Sequence, residues 1–276
     1  MTMKLSFVQR HAYGWGAGFA ALLWTFFPSR RRIAIENLIK GKVAADITQA
    51  RRIAKASWCH LAGHIAEALL VPGVIGGGNW REHLEVEGAS PEAVKLLLET
   101  PDTPIIIASA HHGAWEAATN LLSFARPMIA IARAMNSRFV TKWLEKHHFR
   151  GRIKVIDKNR GFTPAVIRQW LDTNAAMTVL IDQHTKKGVR LSFFGRPAYT
   201  FTSATRLAMR YQVPIVVGTF VRVAPYRYRL VGGEPVLPAK DASLAAVTQL
   251  LNDRLEAAIR QYPEQYLWFH RRWRNG

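Results

Sequence analysis

The sequence predicts an α/β fold, a mostly parallel central sheet flanked by helices and preceded by an N-terminal helical element. Three observations predict it: short apolar, β-branched runs recur along the chain, helical patterns separate them, and an aromatic-rich stretch without charge stands near the start. The chain has 276 residues, 49% of them hydrophobic, which is enough for a real core and unlike a disordered or collagen-like polymer. No Pro/Gly/Ser-rich linker or repeat divides it. The reading is therefore an N-terminal element at 1–40 and a single α/β domain at 41–276.

The N-terminal element is read from charge. Residues 11–29 hold no Asp, Glu, Lys or Arg, and Arg30, Arg31 and Arg32 follow at once. A helix that crosses a bilayer needs about 20 apolar residues. Gly14, Gly16 and Gly18 make this stretch borderline, so a shallow anchor lying in the membrane interface is expected. Tyr13, Trp15, Trp24 and Phe26 are ring types that settle at the headgroup boundary, and the arginines suit anionic lipid phosphates. A buried amphipathic helix is the alternative. No small-x-small cleavage site precedes the arginines, against a cleaved leader.

The remaining elements follow in order. Residues 44–71 read as a helix that stops at Pro72, the glycines at 76–78 turn the chain, and a short strand is expected at 84–86. Helical spacing over 91–100 leads to Ile105-Ile106-Ile107-Ala108, an unbroken β-branched run expected of a strand buried on both faces. Further strands are expected at 128–131, 153–156, 177–181 and 214–221, with helices at 138–149, 162–173 and 203–211 between them. The run Tyr226-Arg227-Tyr228-Arg229 alternates like a half-exposed strand. In such a sheet, chemistry belongs at the carboxyl ends of the strands.

Charge and cysteine usage narrow the partners. With 38 Lys+Arg against 19 Asp+Glu the net charge is +19, which favours nucleic acid, acidic lipid headgroups or an acidic carrier protein. The single Cys59 leaves no internal disulfide and no thiolate cluster for zinc, in keeping with a reducing compartment. There is no recognition-helix or aromatic-basic RNA motif, so nucleic acid is not the expected partner. His60, His64 and Glu67 share one helical face at ligand-like spacing, yet no His-Glu-x-x-His pattern accompanies them and no metal or cofactor is expected. The glycines at 14, 16 and 18 do not fit a dinucleotide fingerprint.

The segment after the isoleucine strand, Ala108-Ser109-Ala110-His111-His112-Gly113-Ala114-Trp115-Glu116, carries the chemistry. Five helical steps of about 100° would separate His111 from Glu116, so the pair meets only if His111 lies in the strand-to-helix bend and Glu116 in the first helical turn. Gly113 makes that bend cheap. A carboxylate beside an imidazole fixes its tautomer and stabilises the imidazolium formed when it takes a proton, and without a G-x-S-x-G elbow the proton would come from a bound hydroxyl. His112 is a rival base at helical distance from Glu116. An architectural explanation also stands: a histidine that ends a strand and an acid that complements a helix N-terminus.

A second strand delivers Asp182-Gln183, then Lys186-Lys187-Gly188 and Phe193-Phe194-Gly195-Arg196-Pro197-Ala198, and the chain closes on Pro263-Glu264-Gln265-Tyr266-Leu267-Trp268-Phe269-His270-Arg271-Arg272-Trp273. Together with Arg31-Arg32-Ile33-Ala34-Ile35-Glu36-Asn37-Leu38, these motifs resemble the bacterial lipid A biosynthesis lauroyl/myristoyl acyltransferase family, a branch of the lysophospholipid acyltransferases, over nearly the whole chain. The resemblance implies a lysophospholipid acyltransferase-like fold with 41–276 as the catalytic domain. It also implies acyl transfer from acyl carrier protein to a hydroxyl of a membrane glycolipid, on the cytoplasmic face of the anionic inner membrane. On it, His111 is the general base and Glu116 orients and charges it. Arg133 and Asn136 match an R-x-x-N step, Arg133 meeting a substrate phosphate or the developing oxyanion. Asp182 and Gln183 line the site, and Asp182 is alternatively a positioning partner of Arg133 or of a nearby histidine, or a helix cap. Lys186, Lys187, Arg190 and Arg196 form a basic rim for a phosphorylated sugar, and Glu67 matches a family acid that could line the acceptor groove. The sequence departs from the pattern at His112, at Ala114 and at Thr202-Ser203, which leaves the acceptor open: mannosides and amino-acid lipids are alternatives, with acyl-CoA as an alternative donor. A basic membrane- or nucleic-acid-binding protein without chemistry is the rival class.

Overall fold

The computed structural model describes residues 5–132, 152–157 and 161–274. Three helices open the chain: α1 (Phe7–Leu23), α2 (Pro28–Lys40) and α3 (Ile47–Ala68). Ser6 and Gln9 cap each other's backbone at the start of α1, and the Asp46 carboxylate accepts the Gln49 N–H at 2.7 Å at the start of α3. The short α4 (Val71–Val74), β1 (Leu84–Glu85) and α5 (Pro91–Val94) follow, the last running into a wide turn at Lys95–Glu99. Then come β2 (Ile105–Ser109), α6 (Trp115–Leu122), β3 (Met128–Ala132), β4 (Ile153–Asp157), α7 (Pro164–Asp172) and β5 (Ala176–Leu180). The chain ends with a hairpin, β6 (Val189–Phe193) and β7 (Arg196–Thr200), then α8 (Ser203–Tyr211), β8 (Ile215–Ala224), β9 (Arg227–Gly232) and α9 (Leu244–Gln261).

Seven strands form one sheet in the order β1-β9-β8-β2-β5-β3-β4. Every neighbouring pair is parallel except β8 and β9, which pair antiparallel. All five residues of β2 are buried, and they divide by the two-residue period of a strand. Ile106 and Ala108 pack into one core with Trp170 of α7, Leu207 of α8 and Leu251 of α9. Ile105 and Ile107 face a second core with Ala117 and Leu121 of α6 and with Tyr228 of β9. Each buried isoleucine contributes about 1.5–3 kcal/mol, so a charge on β2 would unfold the sheet from its centre. The expected strands are present with boundaries shifted by up to three residues, and the 203–211 helix has the bounds expected. The expected helix at 138–149 lies outside the described residues.

The N-terminal helix docks on α3. The two backbones come close at Gly63 and Gly16: a Cβ on Gly63 would meet Tyr13, and one on Gly16 would fall 2.6 Å from the Ala62 carbonyl. Trp58 adds a hydrogen bond from its indole N–H to the Ala20 carbonyl at 2.8 Å. The opposite face of α1 and the turn after it leave Phe7, Trp15, Phe19, Leu22 and Phe26 exposed. Among the described residues, no helix is long and apolar enough to cross a membrane.

Candidate active site

Strand register builds the site. Ser109 of β2 pairs with Leu180 of β5, and the Ile181 N–H donates to the Ser109 carbonyl at 3.0 Å. Two residues further along each strand stand His111 and Asp182, so equal offsets from one registered pair bring the two side chains together. The His111 backbone N–H donates to Asp182 Oδ2 at 3.0 Å, and its ring Nδ1 lies 2.9 Å from Oδ1. A carboxylate only accepts, so Nδ1 carries the proton and the lone pair sits on Nε2. Gln183 places its amide nitrogen 3.2 Å from that Nε2.

The environments of the two partners differ. Asp182 is buried at 3% exposure, whereas the His111 side chain keeps 20% and can reach a substrate. Burial would push the Asp182 carboxyl up, but the charge and two hydrogen bonds of His111, with the Arg272 guanidinium, hold it below the usual range. The Tyr266 phenol beside it is driven well up by burial, then by the Asp182 charge and a hydrogen bond to that carboxylate.

The bend after β2 has the expected form. Gly113 takes φ +67°, and a Cβ there would lie 2.1 Å from the Phe220 carbonyl oxygen, which accepts the Ala114 N–H at 2.6 Å. Helix α6 begins at Trp115, so Glu116 does stand in its first turn. Its carboxylate, however, lies 3.8 Å from Nε2 of His64, and the Trp115 ring sits 5.4 Å from the His111 ring and 4.7 Å from the His64 ring. The orienting bond expected from Glu116 is therefore made by Asp182, because Nδ1 of His111 is already engaged there. Crowding raises the Glu116 pKa although the side chain stays 45% exposed, while the charge of His111 pulls it back down.

Two sequence expectations are corrected. His112 is not a rival base: it is fully buried in the bend rather than on a helix, its Nε2 donates to the Tyr262 carbonyl at 3.0 Å, and Nδ1 accepts from Thr219 at 3.0 Å. Burial lowers its pKa to about 4. Glu67 does not line a groove: at 1% exposure it receives Arg222 in a two-point fork at 2.8–3.0 Å and the Tyr228 hydroxyl at 2.9 Å. His60 belongs to the same inner layer, donating to the Gly113 carbonyl at 3.1 Å and accepting from Tyr13 at 3.0 Å, with its pKa brought down by burial to about 4. Among the described residues no group of His, Cys, Asp and Glu could hold a metal ion.

Of the basic rim, Lys186, Lys187 and Arg190 are exposed, but Arg196 folds inward, over the Trp273 ring at 4.4 Å and onto Asn37 at 3.3 Å. Arg133 and Asn136 lie outside the described residues. What spacing alone did not reveal is how the C-terminal segment closes the site. Leu267 N–H donates to the His111 carbonyl, Gly113 N–H to the Gln265 carbonyl, and Tyr266 pairs with His112 across a β-bridge. Gln265 also clamps both backbone groups of Arg222 at 2.9 Å with its side-chain amide. The only signal for this was the density of polar and aromatic residues in the closing motif.

An imidazole held in one tautomer at the end of a parallel strand, with a bend in place of a nucleophile elbow, can accept a proton from a bound hydroxyl. The comparison with known families agrees: the profile of the bacterial lipid A biosynthesis acyltransferase family matches residues 7–275, and the chain belongs to that family. It is an acyltransferase of the lipid A type. No individual curated protein matches it.

Proposed function

We propose that the protein moves a fatty acyl chain from a carrier-protein thioester to a hydroxyl of a membrane glycolipid, a lipid A precursor in the first instance. The observation that carries this reading is the lone pair of His111 Nε2 at a partly open strand end, with the ring proton committed to buried Asp182. The acceptor hydroxyl gives its proton to Nε2 as its oxygen attacks the thioester carbonyl. Collapse of the tetrahedral intermediate breaks the carbon–sulfur bond, and the departing thiolate takes the proton from the imidazolium. Asp182 keeps the tautomer and offsets the imidazolium charge, and Glu116 adds a second negative charge nearby.

Two surfaces support the partners in this reading. The exposed aromatic and aliphatic face of α1, followed by Arg30, Arg31 and Arg32, suits an interfacial position on an anionic inner membrane, on its cytoplasmic face. Exposed Lys186, Lys187 and Arg190 suit an acidic carrier protein, whose encounter would weaken with salt. The deciding experiment incubates purified protein with acyl carrier thioester and glycolipid acceptor in anionic vesicles. Acyl lipid should form, and His111→Ala and Glu116→Ala should each lose most of it while remaining folded, His111→Ala by about 10²–10⁴-fold. Undiminished turnover in both variants would remove the mechanism. Free fatty acid formed at the same rate with or without acceptor would make the protein a hydrolase.

A further inference from the structure

Beside the catalytic bend lies an open groove of about 510 Å³ that the reaction as described does not use. One wall is the first turn of α2, with Ser29 and Arg30; the other carries His184, His270, Arg271 and Arg274. The groove adjoins the base through the chain itself. Gln183 touches His111, and the next residue, His184, donates its backbone N–H to His270 Nε2 at 3.0 Å.

Four features of this groove favour an anion. First, no carboxylate lines it, and neither Arg271 nor Arg274 has an ion-pair partner among the described residues. Gathered cations in a concave site raise the local potential until a counter-charge binds. Second, Arg30 is steered by a 3.3 Å hydrogen bond to the Phe269 carbonyl, which ties one guanidinium to the segment bearing the other two. Third, Arg271 and Arg274 are both exposed, so their guanidinium groups can meet an anion that enters from solution. Fourth, α2 starts without a side-chain cap and without an acidic residue in its first turn, so the N–H groups of Ser29 and Arg30, just after Pro28, add positive potential. Guanidinium forks together with backbone N–H groups match a tetrahedral oxyanion with several acceptor oxygens better than they match a single carboxylate.

We propose that this groove is a phosphate subsite of the acyl-transfer site, in which Arg30, Arg271 and Arg274 hold a phosphate of one substrate while its reacting group meets His111. The inference rests on the acyl-transfer reading for the identity of the substrate, but not for the binding of phosphate. Two sources carry that chemistry: a phosphate on the acceptor's sugar headgroup, or the phosphate at the root of the donor's pantetheine arm.

The test separates them. Inorganic pyrophosphate is titrated into the full-length protein and into R271Q/R274Q, and binding is followed by phosphorus NMR. Saturable binding in the first, weakened about tenfold or more in the second, is expected, with R271K/R274K recovering only part of it because the charge returns without the guanidinium fork. Equal binding in all three, or none in the wild type, overturns the subsite. A double variant that loses its native circular dichroism is replaced by Arg274→Gln alone, judged by the same criterion. KM is then compared for phosphorylated and dephosphorylated acceptor, and for carrier-bound donor and an acyl thioester lacking phosphate. A KM increase confined to the phosphorylated acceptor assigns the groove to the acceptor, and one confined to the carrier-bound donor assigns it to the donor. Unchanged KM for every substrate overturns the substrate role even if pyrophosphate binds. If no acyl transfer occurs at all, the catalytic reading fails while the pyrophosphate result still decides the site.

Discussion

Among the described residues two carboxylates are buried, for different ends. Asp182 and Glu67 are both nearly inaccessible, and each accepts hydrogen bonds on both carboxylate oxygens. Glu67 faces the Arg222 guanidinium and the Tyr228 phenol, whose pKa burial and the Glu67 charge drive well up, and the Arg222 group is further covered by the Tyr13 ring at 3.8 Å. The result is a fixed joint between α1, α3, β8 and β9. Asp182 faces an imidazole, the one side chain whose ordinary pKa lies near neutrality, and that imidazole is partly open. One buried acid thus closes a joint, whereas the other supports an imidazole that a substrate can reach, the group the proposed mechanism uses.

The contrast can be broken at three points. Asp182→Asn turns an acceptor into a donor toward Nδ1, shifts the ring proton to Nε2, and should lower kcat by about 10³-fold with the fold intact, read by carrier-thioester turnover and circular dichroism. Comparable turnover would show that Asp182 is merely structural. Glu67→Gln should do the reverse: a loss of about 3 kcal/mol in denaturant stability, because the Arg222 charge is left buried without its counter-charge, and little change in kcat per folded molecule. The smallest effect concerns His112, which is neutral in the folded state with a pKa of about 4, below the 6.5 of the free side chain. The unfolded chain therefore binds more protons between these values. Its contribution is complete above about pH 6.5 and is lost as the pH falls toward 4, by at most about 3 kcal/mol. Denaturation midpoints at pH 7.5 and 4.5 should differ less in His112→Gln than in the wild type, and an identical pH slope would place the titration elsewhere.

Local pattern made much of this legible. The β2 run, the glycine bend and the helix at 203–211 follow from β-branching, a positive φ and helical spacing, each contained in a few residues. The partner of His111 was harder to read because Asp182 is 71 positions away, and only the parallel register of β2 with β5 joins them. The Glu67–Arg222 pair, 155 positions apart, was misjudged for the same reason: a helical face shows which residues share a side, not which strand covers it. His112 was misread because helical spacing was extended through a bend that ends before Trp115. The antiparallel placement of β9 likewise depends on a reversal at Tyr226, whose φ of +54° no periodicity announces.

The lacing of Gln265, Tyr266 and Leu267 onto the catalytic bend has a bearing on biosynthesis. These residues leave the ribosome after every strand of the sheet, and Tyr266, with Trp268 and Phe269 just beyond it, belongs to the same core as Ile106 and Ala108 of β2, so that core stays open until they are made. The last aromatic pieces of the core and the backbone supports of the His111 bend therefore arrive together, and a chain interrupted before this segment would lack both.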